Sequence, residues 1–341
     1  MKTRLYNKNR TKILLSFFII ILLTGCIIAC AQETRIPVSP VSKTGFHFDT
    51  VITISLYSTS DEKLLDSSFE LAAYYENLFS KTKEGSDIYR INHADGAPTK
   101  VSPETAELLE IALDYATLTD GAVDPTIGAV STLWNFHKDT TDSENKKLSP
   151  PSDNDIKLAL SHVNYKNVKI SGNIVTLSDP DACLDLGFIA KGYIADKIKE
   201  YLLSQGVTSA LINLGGNVLT VGSKPDTSPF IIGIQKPFAN TGTPVTTVSA
   251  NDISVVSSGV YERYFEYDDQ FYHHILDSKT GYPVENDLLA VSILSESSTD
   301  GDALSTTCLA LGFKDAYELM ERLENIDAIF ITSDGEIRTT Y

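Results

Sequence analysis

The amino-acid sequence predicts an α+β fold of mixed helices and antiparallel strands. Apolar residues recur at helical spacing in some stretches and alternate strictly in others, without the regular strand–helix rhythm of a parallel sheet. No internal repeat marks a solenoid. The 341 residues are 42% apolar and 21% charged. That composition buries a sizeable core and excludes a disordered chain, a collagen or a small disulfide scaffold.

Each element has its own signal. From Phe46 the chain alternates, with Phe46, Phe48, Thr50, Ile52, Ile54 and Leu56 on one side, as in a half-buried strand. Leu64, Leu65, Phe69, Ala72, Tyr75, Leu78 and Phe79 follow at helical spacing. Ser102-Pro103-Glu104 pairs an N-cap with proline at the first helical position, and Ala106, Leu109, Ala112, Leu113 and Ala116 give that helix its buried stripe. Asp139 to Asp153, with Pro150-Pro151, reads as an exposed excursion. A helix from about Ile189 to Leu203 ends at Gly206, a strand covers Ala210 to Leu214, and several strands lie between Phe230 and Leu294. Helices from about Thr299 and from Lys314 precede a hairpin turned at Asp334-Gly335.

The first residues have another purpose. Lys2, Arg4, Lys8, Arg10 and Lys12 precede an apolar run from Ile13 to Leu23, broken only by Ser16. The run is short for a bilayer span and has the form of a secretory signal. It ends in Leu23-Thr24-Gly25-Cys26, which resembles a bacterial lipobox, with Ile28-Ala29-Cys30 as a weaker second cut and an uncleaved signal anchor as the alternative. The expected organisation is a lipoprotein signal peptide over 1–25, a tether over 26–44 and the folded domain over 45–341. Cys26 would carry the lipid, holding the chain on the extracytoplasmic side of the cell membrane. Cys183 and Cys308 remain, too few for a metal cluster, and read as core residues or at most one bridge.

Charge narrows the ligands. Lys and Arg number 28 against 45 Asp and Glu, a net charge of −17. Removing the five cations before Cys26 takes the mature chain to −22. No basic face is on offer to a nucleic acid. A phosphate-bearing ligand would need a bound cation or local backbone donors to offset the field of the whole protein.

Four segments could carry chemistry. Asp302 and Thr306 are four apart at a helix start, so a carboxylate and a hydroxyl share one face and suit a hard cation. Equally, Thr299 could cap the helix with Asp302 reaching back in a capping box. In Leu184-Asp-Leu-Gly-Phe-Ile-Ala-Lys-Gly192 a strand breaks at Gly187 into a helix, aiming N–H groups at an anion beside Lys191, or simply making a turn. Gly215-Gly216 permits close approach of a ligand or a hairpin bend. In Tyr272-His-His-Ile-Leu-Asp277 neighbouring residues face opposite ways, so only one of His273 and His274 can enter a site. One His near Asp277 is a candidate general base, or a surface His before a turn.

Taken in order, the segments resemble the FAD:protein FMN transferase (ApbE-like) family from about Phe48 onward. The resemblance rests on Asp49-Thr50, Ser86-Asp-Ile-Tyr-Arg-Ile-Asn92, Gly121-Ala-Val-Asp-Pro-Thr-Ile-Gly128 with Trp134, and the Leu184–Gly192 segment. It continues through Ile212-Asn-Leu-Gly-Gly-Asn217, Ser257-Ser-Gly259, His274-Ile-Leu-Asp277 with Thr280-Gly281, and Asp302-Ala-Leu-Ser-Thr306.

This resemblance implies a T-fold-like architecture and Mg²⁺-dependent transfer of FMN from FAD to a Thr hydroxyl of a partner protein, releasing AMP. It implies metal ligation by Asp302, Thr306 and the Phe188 carbonyl, with Ser305 close enough to contribute. It assigns Phe48, Thr82, Ala122, Val123, Asp124, Asp185, Lys191 and Ile275 to the flavin nucleotide and His274 to catalysis. Two departures mark this chain: Phe188 stands where the family turn has a second glycine, and Thr82 where an aromatic residue often covers the adenine. The chain also lacks the family's Asp-Gly-x-Thr acceptor pattern, since Asp334-Gly335-Glu336-Ile337 and Asp300-Gly301-Asp302-Ala303 both miss the Thr. The flavin acceptor is therefore expected to be another exported or membrane redox protein. An FAD pyrophosphatase using water, a non-catalytic flavin-binding lipoprotein and a transporter's solute-binding lipoprotein are the competing readings.

Overall fold

The computed structural model describes residues 39–136 and 149–341. The expected signal peptide, Cys26 and most of the expected tether lie outside the described residues, as does most of the polar stretch from Asp139. Among the described residues no helix is long and apolar enough to cross a membrane.

The first strand differs from expectation in two ways. Strand β1 (Val41–His47) pairs antiparallel with β2 (Thr50–Leu56), Val41 opposite Leu56 and Thr44 opposite Thr53, so the sheet begins four residues before the expected boundary at 45. The continuous strand read from Phe46 is instead a hairpin, turned at Phe48 and Asp49 with φ of 54° and 56°. A two-residue turn with both centres left-handed matches the twist of a hairpin. It also reverses the parity of the strand: Phe46 pairs with Val51, and both point to solvent, while Ile52, Ile54 and Leu56 are buried. Glu76 holds the turn, its carboxylate accepting the Phe48 N–H at 2.7 Å and approaching His47 Nδ1 at 3.2 Å.

Helices α1 (Glu62–Phe79), α2 (Asp87–Asn92) and α3 (Pro103–Leu118) follow. As the sequence predicts, Ser102 caps α3, accepting the Thr105 N–H at 3.3 Å. Short α4 (Gly128–Trp134) and α5 (Asp153–Leu160) come next. A small sheet of β3 (Thr99–Lys100), β4 (Val168–Ser171) and β5 (Ile174–Leu177) has β5 at its centre. Then come α6 (Ala190–Ser204), β6 (Ala210–Leu214) and β7 (Asn217–Val221). Hairpin β8 (Phe230–Gln235)/β9 (Pro244–Ala250), strand β10 (Ser254–Gly259) and hairpin β11 (Tyr264–Tyr267)/β12 (Gln270–His273) lead to β13 (Leu288–Ser295). The chain ends with α7 (Ser298–Leu311), α8 (Phe313–Met320), β14 (Asp327–Thr332) and β15 (Ile337–Thr339).

The main sheet is antiparallel, in the order β1-β2-β6-β7-β10-β13-β14-β15. Alternation sorts its two faces. Ile52, Ile54, Ile212 and Leu219 pack with Leu65, Phe69 and Ala72 of α1 and Ile194 and Ile198 of α6. Val291, Ile293 and Phe330 pack with Leu304 and Leu309 of α7 and Leu319 of α8. Their strand neighbours Ala290, Ile329 and Ile331 face the other way, onto Phe230, Ile232 and Ile234 of the β8/β9 hairpin. A fourth cluster joins α4 and α5 to the β11/β12 hairpin through Val130, Trp134, Ile156 and Phe265. Cys183 and Cys308 are both free thiols, so the optional bridge is not made.

Candidate active site

The first turns of α6 and α7 cross at the heart of the site. Ser297 caps α7, accepting the Asp300 N–H at 3.1 Å, and Asp196 of α6 accepts the N–H groups of Ser298 and Thr299 at 2.9 Å each. Thr299 is therefore inside the helix and not its cap. Asp302 leaves its own helix alone: its Oδ2 accepts the Gly192 N–H at 3.0 Å, and its Oδ1 accepts from Lys191 Nζ at 3.1 Å. Only glycine allows this approach, since a Cβ at 192 would collide with the Ser298 carbonyl. Asp302 is 2% exposed. Burial raises its carboxyl above the usual range, and the Lys191 charge and Gly192 N–H oppose that rise.

The rest of the expected oxygen set divides. Thr306, one turn after Asp302, reaches the cleft, as do Gly187 and half-buried Phe188. The Gly187 carbonyl accepts from Lys191 Nζ at 3.4 Å. Ser305 does not reach it. It is fully buried, its hydroxyl bonded to the Asp302 carbonyl at 3.0 Å and to the Ser258 hydroxyl at 2.8 Å. It braces the helix beneath the site. A carboxylate, a hydroxyl and a carbonyl-bearing turn are oxygen donors of the kind a hard cation takes, but here the Asp302 oxygens are occupied by the Gly192 N–H and the Lys191 ammonium, so a cation using them would displace Lys191 Nζ.

A second corner surrounds Asp185. Asn92 of α2 fixes the segment, its side chain bonding the Leu184 N–H at 2.7 Å and the Leu184 carbonyl at 3.0 Å. Asp185 Oδ2 lies 2.8 Å from Lys81 Nζ and accepts from the Ser131 hydroxyl at 2.7 Å, while Oδ1 accepts the Gly187 N–H at 2.9 Å. Burial alone would raise this carboxyl, but Lys81, Ser131 and Gly187 hold it down, to about 2. Ala122, Val123 and Asp124 border the same corner. The Asp124 side chain, however, is 6% exposed and turned inward, accepting from the Thr126 and Tyr165 N–H groups at 2.8 Å and the Thr126 hydroxyl at 2.6 Å. It shapes the loop, leaving backbone and neighbouring side chains to meet a ligand. Phe48 and exposed Thr82 line the same space.

The third wall carries the histidines, which face opposite ways as strand alternation requires. His273 is buried, with Nε2 3.1 Å from the Val284 carbonyl, while His274 lines the cleft beside Ile275. The partner of His274 is not Asp277, which closes its own turn by accepting the Lys279 N–H at 2.7 Å. His274 Nδ1 instead faces the Arg263 carbonyl at 3.3 Å. A carbonyl only accepts, so Nδ1 carries the proton and Nε2 keeps its lone pair. Burial, then the charge of Arg263, pushes this imidazole down to about 3, so it is neutral at physiological pH.

These walls enclose a cleft of about 1450 Å³. Residues 48–330 match the family model described as the ApbE family. The chain belongs to the ApbE family. A relative in Klebsiella pneumoniae (strain 342), "FAD:protein FMN transferase", is 39% identical over 291 residues, covering 84% of this chain and 87% of that protein. One of the same name in Treponema pallidum (strain Nichols) is 35% identical, covering 81% and 79%. The crystal structure of the ApbE protein from Thermotoga maritima superposes with a TM-score of 0.79 at 31% identity, covering 88% of this chain and 96% of that one. The apo form of the Pseudomonas stutzeri flavinyl transferase ApbE gives 0.75 at 28% identity, covering 89% and 94%.

In this ApbE chain the sequence reading overlooks three supports. Lys81 gives no signal beyond its place next to Thr82. Ser131 lies inside an unremarkable helix. Arg263 acts through its carbonyl, which no side-chain pattern reveals.

Proposed function

We propose that this ApbE chain transfers the FMN half of FAD to a threonine hydroxyl of an exported or membrane redox protein, with AMP leaving and Mg²⁺ as the metal. One observation carries the reading: His274, Thr306, Lys191 and the Asp185–Lys81 corner line one cleft, with the Asp302 carboxylate buried behind Lys191, in a chain of this family.

In the step, the threonine oxygen forms a bond to the FMN phosphorus while the pyrophosphate P–O bond to the AMP side breaks. The bridging oxygen leaves with AMP, and the hydroxyl proton passes to His274 Nε2. The Arg263 carbonyl keeps that ring in the required tautomer. Asp302, Thr306 and the Phe188 carbonyl would hold Mg²⁺, which when bound supplies charge neutralisation on the pyrophosphate, needed all the more in a chain this acidic. Lys191 adds fixed positive charge at the same point. Asp185, kept ionised, is an acceptor for a ligand hydroxyl or amide.

Incubating the chain with FAD, Mg²⁺ and a carrier domain bearing Asp-Gly-x-Thr-Gly-Ala-Thr tests this by mass spectrometry of the carrier. A phosphodiester-linked FMN adduct on the Thr is the expected result. AMP release without an adduct would favour FAD hydrolysis, the reading that Thr82 supports by leaving the adenine side without an aromatic cover.

The lipobox supports a mature chain anchored through lipid on Cys26 at the extracytoplasmic face of the membrane. Fractionating cells that express Cys26→Ala tests it, with release from the membrane expected.

A further inference from the structure

We propose that an exposed aromatic rim, Phe238, Tyr264 and Phe271, is the surface on which the flavin-accepting protein docks, by an apolar side chain near the modified hydroxyl. The proposal rests on the transferase reading above.

The three rings are 54%, 47% and 37% exposed, yet they form one cluster. Phe238 lies 5.6 Å from Phe271 and 6.1 Å from Tyr264, and Tyr264 lies 4.8 Å from Phe271, between ring centroids. Tyr261 backs them, 5.8 Å from Phe238. Contiguous exposed apolar surface of this kind marks an interaction site more often than chance.

The rim is also held in place. Phe238 sits at φ 59° in the β8–β9 turn, a left-handed conformation that costs energy for a bulky residue and persists only when its surroundings fix it. Gln235 does the fixing. Its Nε2 donates to the carbonyls of Lys236 (3.0 Å), Ala239 (3.3 Å) and Asn240 (3.2 Å), and its Oε1 accepts the Gly242 N–H at 2.8 Å. An exposed ring held by a side chain dedicated to its loop is presented to something.

Continuity with the cleft says to what. Phe238, Tyr261 and Tyr264 run on into the cleft wall, and Phe271 lies just outside it. Strand β12 carries Phe271, whose ring lies 5.8 Å from that of His273, and ends one residue before His274. One reactant, the dinucleotide, belongs in the cavity. The other is a protein whose hydroxyl must reach His274 Nε2 from outside, and the rim borders that approach. A protein segment that brings its hydroxyl to His274 passes Tyr264 and Phe238 on the same cleft wall, where an apolar side chain flanking the hydroxyl can meet the rim.

The test compares wild type with Phe271→Ser and Phe271→Leu, at the one ring of the three that does not line the cleft, using the same Asp-Gly-x-Thr-Gly-Ala-Thr carrier domain. Three quantities are read: KM for the carrier, AMP release from FAD and Mg²⁺ without carrier, and FAD affinity by flavin fluorescence. Phe271→Ser should raise KM for the carrier by about tenfold or more, Phe271→Leu should stay near wild type, and the other two quantities should hold. An unchanged KM overturns the proposal. A parallel loss of FAD affinity overturns it by giving the rim to the nucleotide. So does an unchanged KM accompanied by lost self-association or lost vesicle binding, which assigns the rim to a second copy or to a bilayer. A wild-type chain that releases AMP but never modifies the carrier refutes the transferase reading itself, and the rim's role with it.

Discussion

Lys191 Nζ stands 3.1 Å from Asp302 Oδ1 although 111 positions separate the two residues. The contact exists because Gly192 lets the first turn of α6 touch the first turn of α7. The pair concentrates one fixed cation and one buried anion where, on the proposed reading, an acidic protein would receive a pyrophosphate.

Asp302→Ala removes the carboxylate of the proposed metal pair. Mg²⁺-dependent AMP release should fall by at least about a hundredfold, with the Mg²⁺ titration losing its saturable phase. Lys191 is partly exposed and can turn to water, so the thermal midpoint should drop only modestly. Wild-type turnover in this variant would refute the assignment.

His274→Ala should slow flavin transfer by roughly 10²- to 10⁴-fold, the usual span for a lost general base. FAD affinity should stay close to wild type. Single-turnover transfer measured beside fluorescence titration separates the two, and a selective loss of FAD binding would make His274 a binding residue instead.

Lys81→Met leaves Asp185 with two hydrogen-bond donors but no countercharge. Its carboxyl should move up from about 2, and FAD affinity should weaken by about tenfold. Lys81→Arg should recover part of it. Calorimetric titration of FAD into the three proteins reads the effect.

His273 is held neutral, with burial depressing it to about 4 against an unfolded value near 6.5. As pH falls below 6.5 the unfolded chain takes up the proton first, so this stability contribution is whole above 6.5 and drains away toward pH 4. From pH 7 to pH 5 the advantage of wild type over His273→Gln should shrink by about 2 kcal/mol. Urea unfolding at both values measures it. An advantage independent of pH would contradict the buried neutral state.

Gly192→Ala forces a methyl into the Ser298 carbonyl. A loss of about 1–3 kcal/mol is expected, together with weaker Mg²⁺ activation as Asp302 is pushed off the Gly192 N–H. Chemical denaturation and the metal titration should shift together.

The fold was largely legible because its core positions obey simple periods. Helix α6, the strand at Ala210–Leu214 and the Asp334-Gly335 turn all lie where the pattern puts them. The first hairpin was not, because Phe48 and Asp49 take left-handed backbone without glycine, and a pattern of alternation runs through such a turn unseen. Within the site, the positions of Asp302, Thr306, Asp185, Lys191 and His274 followed from motif order, but their partners did not. Lys81 to Asp185, Asp196 to the start of α7 and Arg263 to His274 are contacts between distant segments. Ser305 and Asp124 show the opposite error: residue types apt for a ligand spend their polar atoms on the protein.

Cys183 and Cys308 are unpaired, and burial pushes their thiols up to about 11 and about 12. Both stay protonated near neutrality and are poor substrates for disulfide exchange. Maturation of the domain therefore calls on no thiol-oxidising catalyst, and glutathione or oxygen in its surroundings should leave its conformation alone. Under the proposed export, that frees assembly from the redox poise of whichever side of the membrane the chain reaches.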